Sequence, residues 1–105
     1  MGKQDIKENV EILEAMLLTY ENCTFVNEEM LRQCLIRKIV RTAMPIFRWA
    51  VDWIDKYRNG HLTFEIHQNY LELSNMQLYG NYDEENLKYV IWGLELVNSV
   101  IFGKD

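Results

Sequence analysis

Apolar residues recur every three or four positions along most of the chain, and this spacing constrains the fold more than any other feature of the sequence. Between Asp5 and Tyr20 the apolar residues are separated by polar ones, including Glu8, Glu11 and Glu14, in the pattern of an amphipathic helix. No segment shows the sustained alternation of a half-buried strand, and five glycines and one proline in 105 residues supply few turns for a barrel or sandwich. The sequence therefore predicts an all-α protein.

The second predicted helix begins at Asn27, an N-cap residue followed by two glutamates in the first turn, where the helix dipole favours acidic side chains. Its apolar face is expected to consist of Met30, Leu31, Cys34, Leu35, Ile39 and Val40. Pro45 lacks a backbone N–H, so we expect it to kink or break this helix. A further helical piece is expected over Ile46–Tyr57, closed by Asn59–Gly60.

A fourth helix is expected to start at Thr63, a capping residue, and to end before the turn at Gly80. Its apolar residues are Phe64, Ile66, Tyr70, Leu71, Leu73 and Leu78.

The last predicted helix opens with Asp83, Glu84 and Glu85 and continues through the mainly apolar segment Leu87–Phe102, which is shorter than the roughly 20 residues of a membrane span. Gly93 is expected to mark a close helix crossing. We expect Ile91, Leu94 and Ile101 to lie in the core. Short loops between the helices then predict an antiparallel bundle of four to five helices, with residues 1–105 as a single domain.

The formal net charge of −5 is unevenly distributed. Residues 1–26 contain five acidic and two basic residues, residues 27–60 four acidic and seven basic, and residues 61–105 seven acidic and two basic. A negative net charge disfavours binding to nucleic acid or to an anionic membrane, so we expect a basic protein as the partner.

Acidic residues and tyrosines are interleaved between positions 65 and 85, a pattern that predicts a protein-binding surface. Tyrosine offers a large rigid contact area with a hydroxyl group, and carboxylates steer a basic partner. The expected partner-binding residues are Glu65, Glu72, Tyr79, Tyr82, Asp83, Glu84 and Glu85. A purely structural role is equally compatible with this pattern, because acids also stabilise a helix start.

Arg37, Arg41 and Arg48 would share one helix face if the helix continues through Pro45. Such a row of guanidinium groups could bind a phosphate or a carboxylate. The alternative is that the arginines are solvated or pair with acids of neighbouring helices.

No pattern predicts catalysis, a cofactor or a metal ion. His61 and His67 are six residues apart, which is not the four-residue step that aligns two ligands on a helix, and no cysteine pair completes a zinc site. We expect Cys23 and Cys34 to be reduced thiols of a cytoplasmic protein, because the chain starts without an apolar signal segment.

The segment Ile54–Glu65, with Gly60, Leu62 and Thr63 between two helices, and the following Tyr70–Leu73 resemble the helix–Gly–Leu–Ser/Thr–helix pattern of small helical bacterial immunity proteins of the colicin-D and contact-dependent inhibition type. The resemblance implies a small acidic cytoplasmic protein that binds a cognate nuclease toxin and covers its active site. It would assign that contact to the acidic, tyrosine-rich stretch.

Three alternatives remain open from the sequence. One is a phage-type inhibitor or DNA mimic that uses the acidic residues to occupy a nucleic-acid site. Another is a small RNA-binding module or enzyme that uses Arg37, Arg41 and Arg48. The third is a homodimeric structural subunit that associates through the apolar last helix.

Overall fold

The computed structural model describes residues 2–24, 28–57 and 61–103, and in these ranges the protein contains helices but no strand. Helix α1 spans Lys3–Asn22, α2 spans Glu29–Tyr57, α3 spans His61–Tyr79 and α4 spans Leu87–Leu96. A short 3₁₀ helix, Glu84–Asn86, precedes α4, and a π-helical turn, Val97–Ile101, continues it. The prediction of an all-α protein is confirmed.

Helix α2 runs through Pro45 without ending there. At 1.5 Å per residue its 29 residues extend about 43 Å, close to the 46 Å longest dimension of the molecule. A break at Pro45 is therefore wrong, and Ile46–Tyr57 is the second half of one helix. The ring of Pro45 faces outward, while Ala43 and Ile46 on either side of it are buried and hold the helix against the core. The expected cap at Asn27 and the expected end at Asn59–Gly60 lie outside the described residues.

Helix α3 begins at His61, so Thr63 lies in its first turn and is not the capping residue that the sequence predicts. The helix ends at the expected turn. Gly80 adopts a φ of +64°, and the N–H of Asn81 donates to the carbonyl oxygen of Met76 at 3.1 Å, which satisfies one of the last helical carbonyls.

A buried core joins the helices, and α2 contacts α1, α3 and α4. The fully buried side chains of this core include Ile6, Val10, Leu13, Ile36, Ile39, Val40, Ile46, Phe47, Ile54, Ile66, Leu73 and Val90. Gly93 is also buried and faces Phe47 of α2, which confirms the predicted close crossing.

Several residues expected on buried faces are instead exposed, namely Met30, Leu31, Cys34, Phe64, Leu71, Leu78 and Ile91. In α2, Ile36 and Ala43 occupy the buried side in their place. In α3 the buried side includes Asn69 and Met76. In α4, Leu94 is buried as predicted, and so is Ile101 in the following turn.

Candidate partner-binding surface

Helices α3 and α4 form the walls of an open cleft of about 650 Å³. Phe64 begins the α3 wall and is 65% exposed, and Trp92 on α4 is 50% exposed. Large aromatic side chains exposed to this extent can contact a partner. The other lining residues are Glu65, Gln68, Asn69, Glu72, Tyr89, Glu95, Leu96 and Ser99. We refer to this site as the α3–α4 cleft.

Three carboxylates surround the α3–α4 cleft. Glu65 and Glu72 are seven residues apart on α3, so they lie on one side of the helix about 10 Å apart along its axis. Glu95 contributes the third from α4. A cation, Lys88, lies beside the cleft, with its Nζ 5.3 Å from the ring centroid of Tyr89 and 5.7 Å from that of Trp92. The cleft therefore combines apolar aromatic surface with an excess of negative charge.

Other predicted site residues lie in a second, smaller cleft at the start of α2. Tyr82, Asp83, Glu84 and Glu85 line it together with Glu29 and Arg32, and its volume is about 330 Å³. Arg32 forms ion pairs with Glu29 and, at 3.4 Å, with Glu84. Part of the acidic charge here is thus already neutralised within the chain. We refer to this site as the Arg32 cleft.

Tyr20 of α1 lies buried beside the Arg32 cleft, and its pKa is raised to about 12. Burial is the largest cause, because it disfavours the phenolate, and the negative charge of the nearby Glu84 adds to it. The positive charge of Arg32 acts in the opposite direction. Tyr20 and Glu84 thus link α1 to the segment before α4.

The two tyrosines among the predicted residues differ in their surroundings. Tyr79 is 76% exposed at the end of α3, whereas Tyr82 is half-buried and packs against the core. The structure thus places Glu65 and Glu72 in one cleft, Tyr82, Asp83, Glu84 and Glu85 in another, and Tyr79 on open surface.

The row of arginines lies on exposed surface of α2. Because α2 continues through Pro45, Arg37, Arg41 and Arg48 do share one face. Arg41 and Arg48 line a shallow cleft of about 300 Å³ with Tyr70 of α3. No ion pair within 4 Å joins these three arginines to a carboxylate in the ranges that the structure describes.

The described residues contain no cluster of three metal-binding side chains. The side chain of His61 is outside them, and His67 is exposed and stacks on Tyr70 with 6.4 Å between the ring centroids. Cys23 and Cys34 are both free and exposed. None of the helices, over the part of the chain described, has the length and apolar character needed to cross a membrane.

Sequence reasoning missed the α4 wall of the α3–α4 cleft. Trp92 and Glu95 belong to a helix whose sequence is mainly apolar, and they lie on the outer side because Gly93 and Leu94 face the core. Phe64 was expected in the core, yet it is the most exposed aromatic residue of this cleft.

Comparison with known proteins adds no family to these observations. No family model, no curated protein and no solved structure matches this chain.

Proposed function

We propose that this protein binds another protein stoichiometrically and that the α3–α4 cleft receives a basic segment of that partner. The observation that carries the proposal is the placement of Glu65, Glu72 and Glu95 around the exposed rings of Phe64 and Trp92. Aromatic side chains in a concave site supply affinity, and carboxylates at its rim select and steer a positively charged partner.

The resemblance to bacterial immunity proteins supports a more specific form of the proposal. The partner would be a nuclease toxin domain, which is basic because it binds phosphates, and the complex would cover its active site. The protein itself then needs no catalytic residue and no cofactor. A DNA mimic would use the same acidic residues, but the apolar rings among the carboxylates favour a protein partner.

The Arg32 cleft contributes less to this proposal than the sequence implies. Glu84 forms an ion pair with Arg32 and lies next to Tyr20, so its charge takes part in contacts within the chain. We therefore assign the main contact to Glu65 and Glu72, and a peripheral one to Tyr79, Asp83 and Glu85.

The arrangement of the helices and the cellular location belong to the same proposal. Successive helices that contact each other across short loops support an antiparallel bundle. The missing N–H of Pro45 supports a bend in α2. Exposed free thiols at Cys23 and Cys34 support a cytoplasmic location.

One experiment tests the proposal directly. The product of the adjacent gene is the expected partner, because an immunity gene is expected to follow its toxin gene. The association rate of the two proteins should fall as salt rises, since exposed charges are screened over about 8 Å at physiological ionic strength. The double variant Glu65→Lys and Glu72→Lys should associate more slowly, and Trp92→Ala should mainly dissociate faster.

Charge reversal at two exposed glutamates of α1, Glu8 and Glu11, provides the matched control. It changes the net charge by the same amount but lies on a different helix. If both double variants slow association equally, net charge and not the cleft controls binding. Loss of protection in cells by the Glu65 and Glu72 variant alone would support the cleft.

A second candidate function is RNA binding through the arginine row, and the shared cleft of Arg41 and Arg48 favours it. Replacement of Arg37, Arg41 and Arg48 by glutamine distinguishes the two. Salt-dependent RNA binding that disappears in this triple variant, with protein binding absent, would replace the first proposal by the second.

A further inference from the structure

Three aromatic side chains stand on consecutive turns near the end of α2. Trp49, Trp53 and Tyr57 are four residues apart, so they lie along one side of the helix. The Trp49 and Trp53 rings are stacked at an angle of 27°, with 6.4 Å between their centroids, and the Trp53 and Tyr57 centroids are 5.3 Å apart. Together with Lys3, Asp52 and Lys56, these rings line an open cleft of about 630 Å³.

A cation already lies against these rings. The Nζ atom of Lys3, from the start of α1, is 5.3 Å from the ring centroid of Trp53 and 5.9 Å from that of Phe102. An ammonium group within about 6 Å of a ring face is attracted by the negative charge of that face, most strongly at tryptophan. Lys56 makes the same kind of contact with Tyr57, at 5.4 Å.

Asp52 places a carboxylate among these rings. Over the described ranges it forms no ion pair with Lys3 or Lys56 within 4 Å. Aromatic faces with a nearby carboxylate are the chemistry that recognises alkylammonium groups, such as quaternary ammonium ions and lysine side chains. The cleft therefore has the groups that a cationic ligand requires, in a part of the molecule that the α3–α4 cleft does not use.

We propose that Trp49, Trp53, Tyr57 and Asp52 form a binding site for an alkylammonium group, and that Lys3 of the same chain is an internal competitor for it. Lys3 is exposed, so its contact with the rings is weak and changes an equilibrium constant by a factor of only about two to five. An external cation that also gains the charge of Asp52 displaces it. The ligand is either a free quaternary ammonium ion or a lysine side chain of a partner.

Tryptophan fluorescence of the Trp92→Phe variant tests this proposal. The chain has three tryptophans, so this variant reports only on Trp49 and Trp53. The probes are tetramethylammonium chloride and N-acetyl-lysine methylamide, with sodium chloride at the same ionic strength as the control. We expect a saturable change with at least one of the two organic cations and none with sodium.

Three substitutions in this background identify the site. Lys3→Ala should tighten binding about two- to fivefold, because the competitor is removed. Trp53→Leu should weaken it about tenfold or more. Asp52→Asn should weaken it as well, and this nearly isosteric change at an exposed position keeps the test valid if Trp53→Leu does not fold.

The outcomes separate the two sources of the cation. Preference for the lysine derivative assigns the site to a partner's side chain, and preference for tetramethylammonium assigns it to a free ion. Equal responses to sodium and to the organic cations would overturn the proposal, as would binding that neither Asp52→Asn nor Lys3→Ala changes.

Discussion

Gly93 of α4 lies so close to Phe47 of α2 that no other residue fits without movement. A Cβ atom at position 93 would lie 2.4 Å from Cζ and 2.6 Å from Cε2 of the Phe47 ring, and Phe47 is completely buried. The absence of a side chain therefore sets the distance at which the last helix crosses the central one.

Gly93→Ala should destabilise the protein even though alanine favours helix formation. Overpacking a core costs about 1–3 kcal/mol, against roughly 1 kcal/mol gained in helix propensity, and a contact this short places the cost at the upper end. Urea unfolding of the variant measures the difference.

Phe47→Leu provides the matched background, because leucine leaves space opposite position 93. In a double-mutant cycle Gly93→Ala should lower the free energy of unfolding less in the Phe47→Leu protein than in the native one. Equal costs in both backgrounds would mean that the two residues do not interact as the distance indicates.

Leu94 and Ile91 offer a second prediction within one helix. Leu94 is 6% exposed and Ile91 is 43% exposed. Leu94→Ala should lower the free energy of unfolding by about 2–5 kcal/mol, whereas Ile91→Ala should change it by less than about 1 kcal/mol. Thermal and urea unfolding compare the two.

The oligomeric state of the Leu94→Ala variant tests whether the last helix is a subunit interface. If this variant dissociates a dimer and leaves a folded monomer, the last helix is a subunit interface, and the structural-subunit alternative gains support. Sedimentation of the native protein and of both variants distinguishes the cases.

The existence of the helices could be predicted from the sequence, but their rotation about their axes was predicted less well. The period of three to four residues appears in every long segment and needs no tertiary information. In α2, however, Met30 and Leu31 are apolar and yet exposed. Each residue advances about 100° around a helix, so these two lie roughly 120° and 140° from the buried Ile36. An apolar band this wide does not by itself identify the buried side.

The candidate surface likewise combines features that the sequence predicts with features that it does not predict. Glu65 and Glu72 were predicted to act together, and their spacing on one helix is sufficient to place them on one side. Tyr82 to Glu85 were predicted to join them, but the turn at Gly80 carries these residues to the start of α2. Trp92 enters the surface only because a different helix packs beside α3. Sequence spacing carries no information on such contacts.

Tyr20 predicts a loss of stability at high pH. Its pKa is about 12 in the folded protein and about 10 in the unfolded chain, so folding favours the protonated phenol. This contribution is fully present below pH 10 and is lost as the pH rises from about 10 to about 12. A pKa difference of two units lowers the free energy of unfolding by about 2–3 kcal/mol at most.

Tyr20→Phe is the control for this effect, because it retains the ring and removes the titrating group. The free energy of unfolding of the native protein should fall more steeply with pH than that of Tyr20→Phe between pH 10 and 12. Parallel curves would show that other groups cause the alkaline loss.

Glu84 and Arg32 should shift the pKa of Tyr20 in opposite directions. Glu84→Gln removes a negative charge beside the phenol, so the pKa should fall below about 12 while burial keeps it above 10. Arg32→Met removes a positive charge and should raise it. Ultraviolet titration of the phenolate, taken as the difference from the same variant with Tyr20→Phe, measures each shift. Shifts in the same direction would contradict the charge arrangement around this residue.

Pro45→Ala should stabilise the protein. Pro45 is exposed inside a continuous helix, and its missing N–H leaves the carbonyl oxygen of Arg41 without its helical donor. Alanine restores that donor and removes the clash of the ring with the preceding turn, although it also frees the unfolded chain. We expect a net gain of about 1–2 kcal/mol in urea unfolding. Asn75→Ala, at an exposed position of α3, reports the part of the gain that helix propensity alone produces. A loss of stability in Pro45→Ala would show instead that a bend at this residue is needed to seat both halves of α2 against the core.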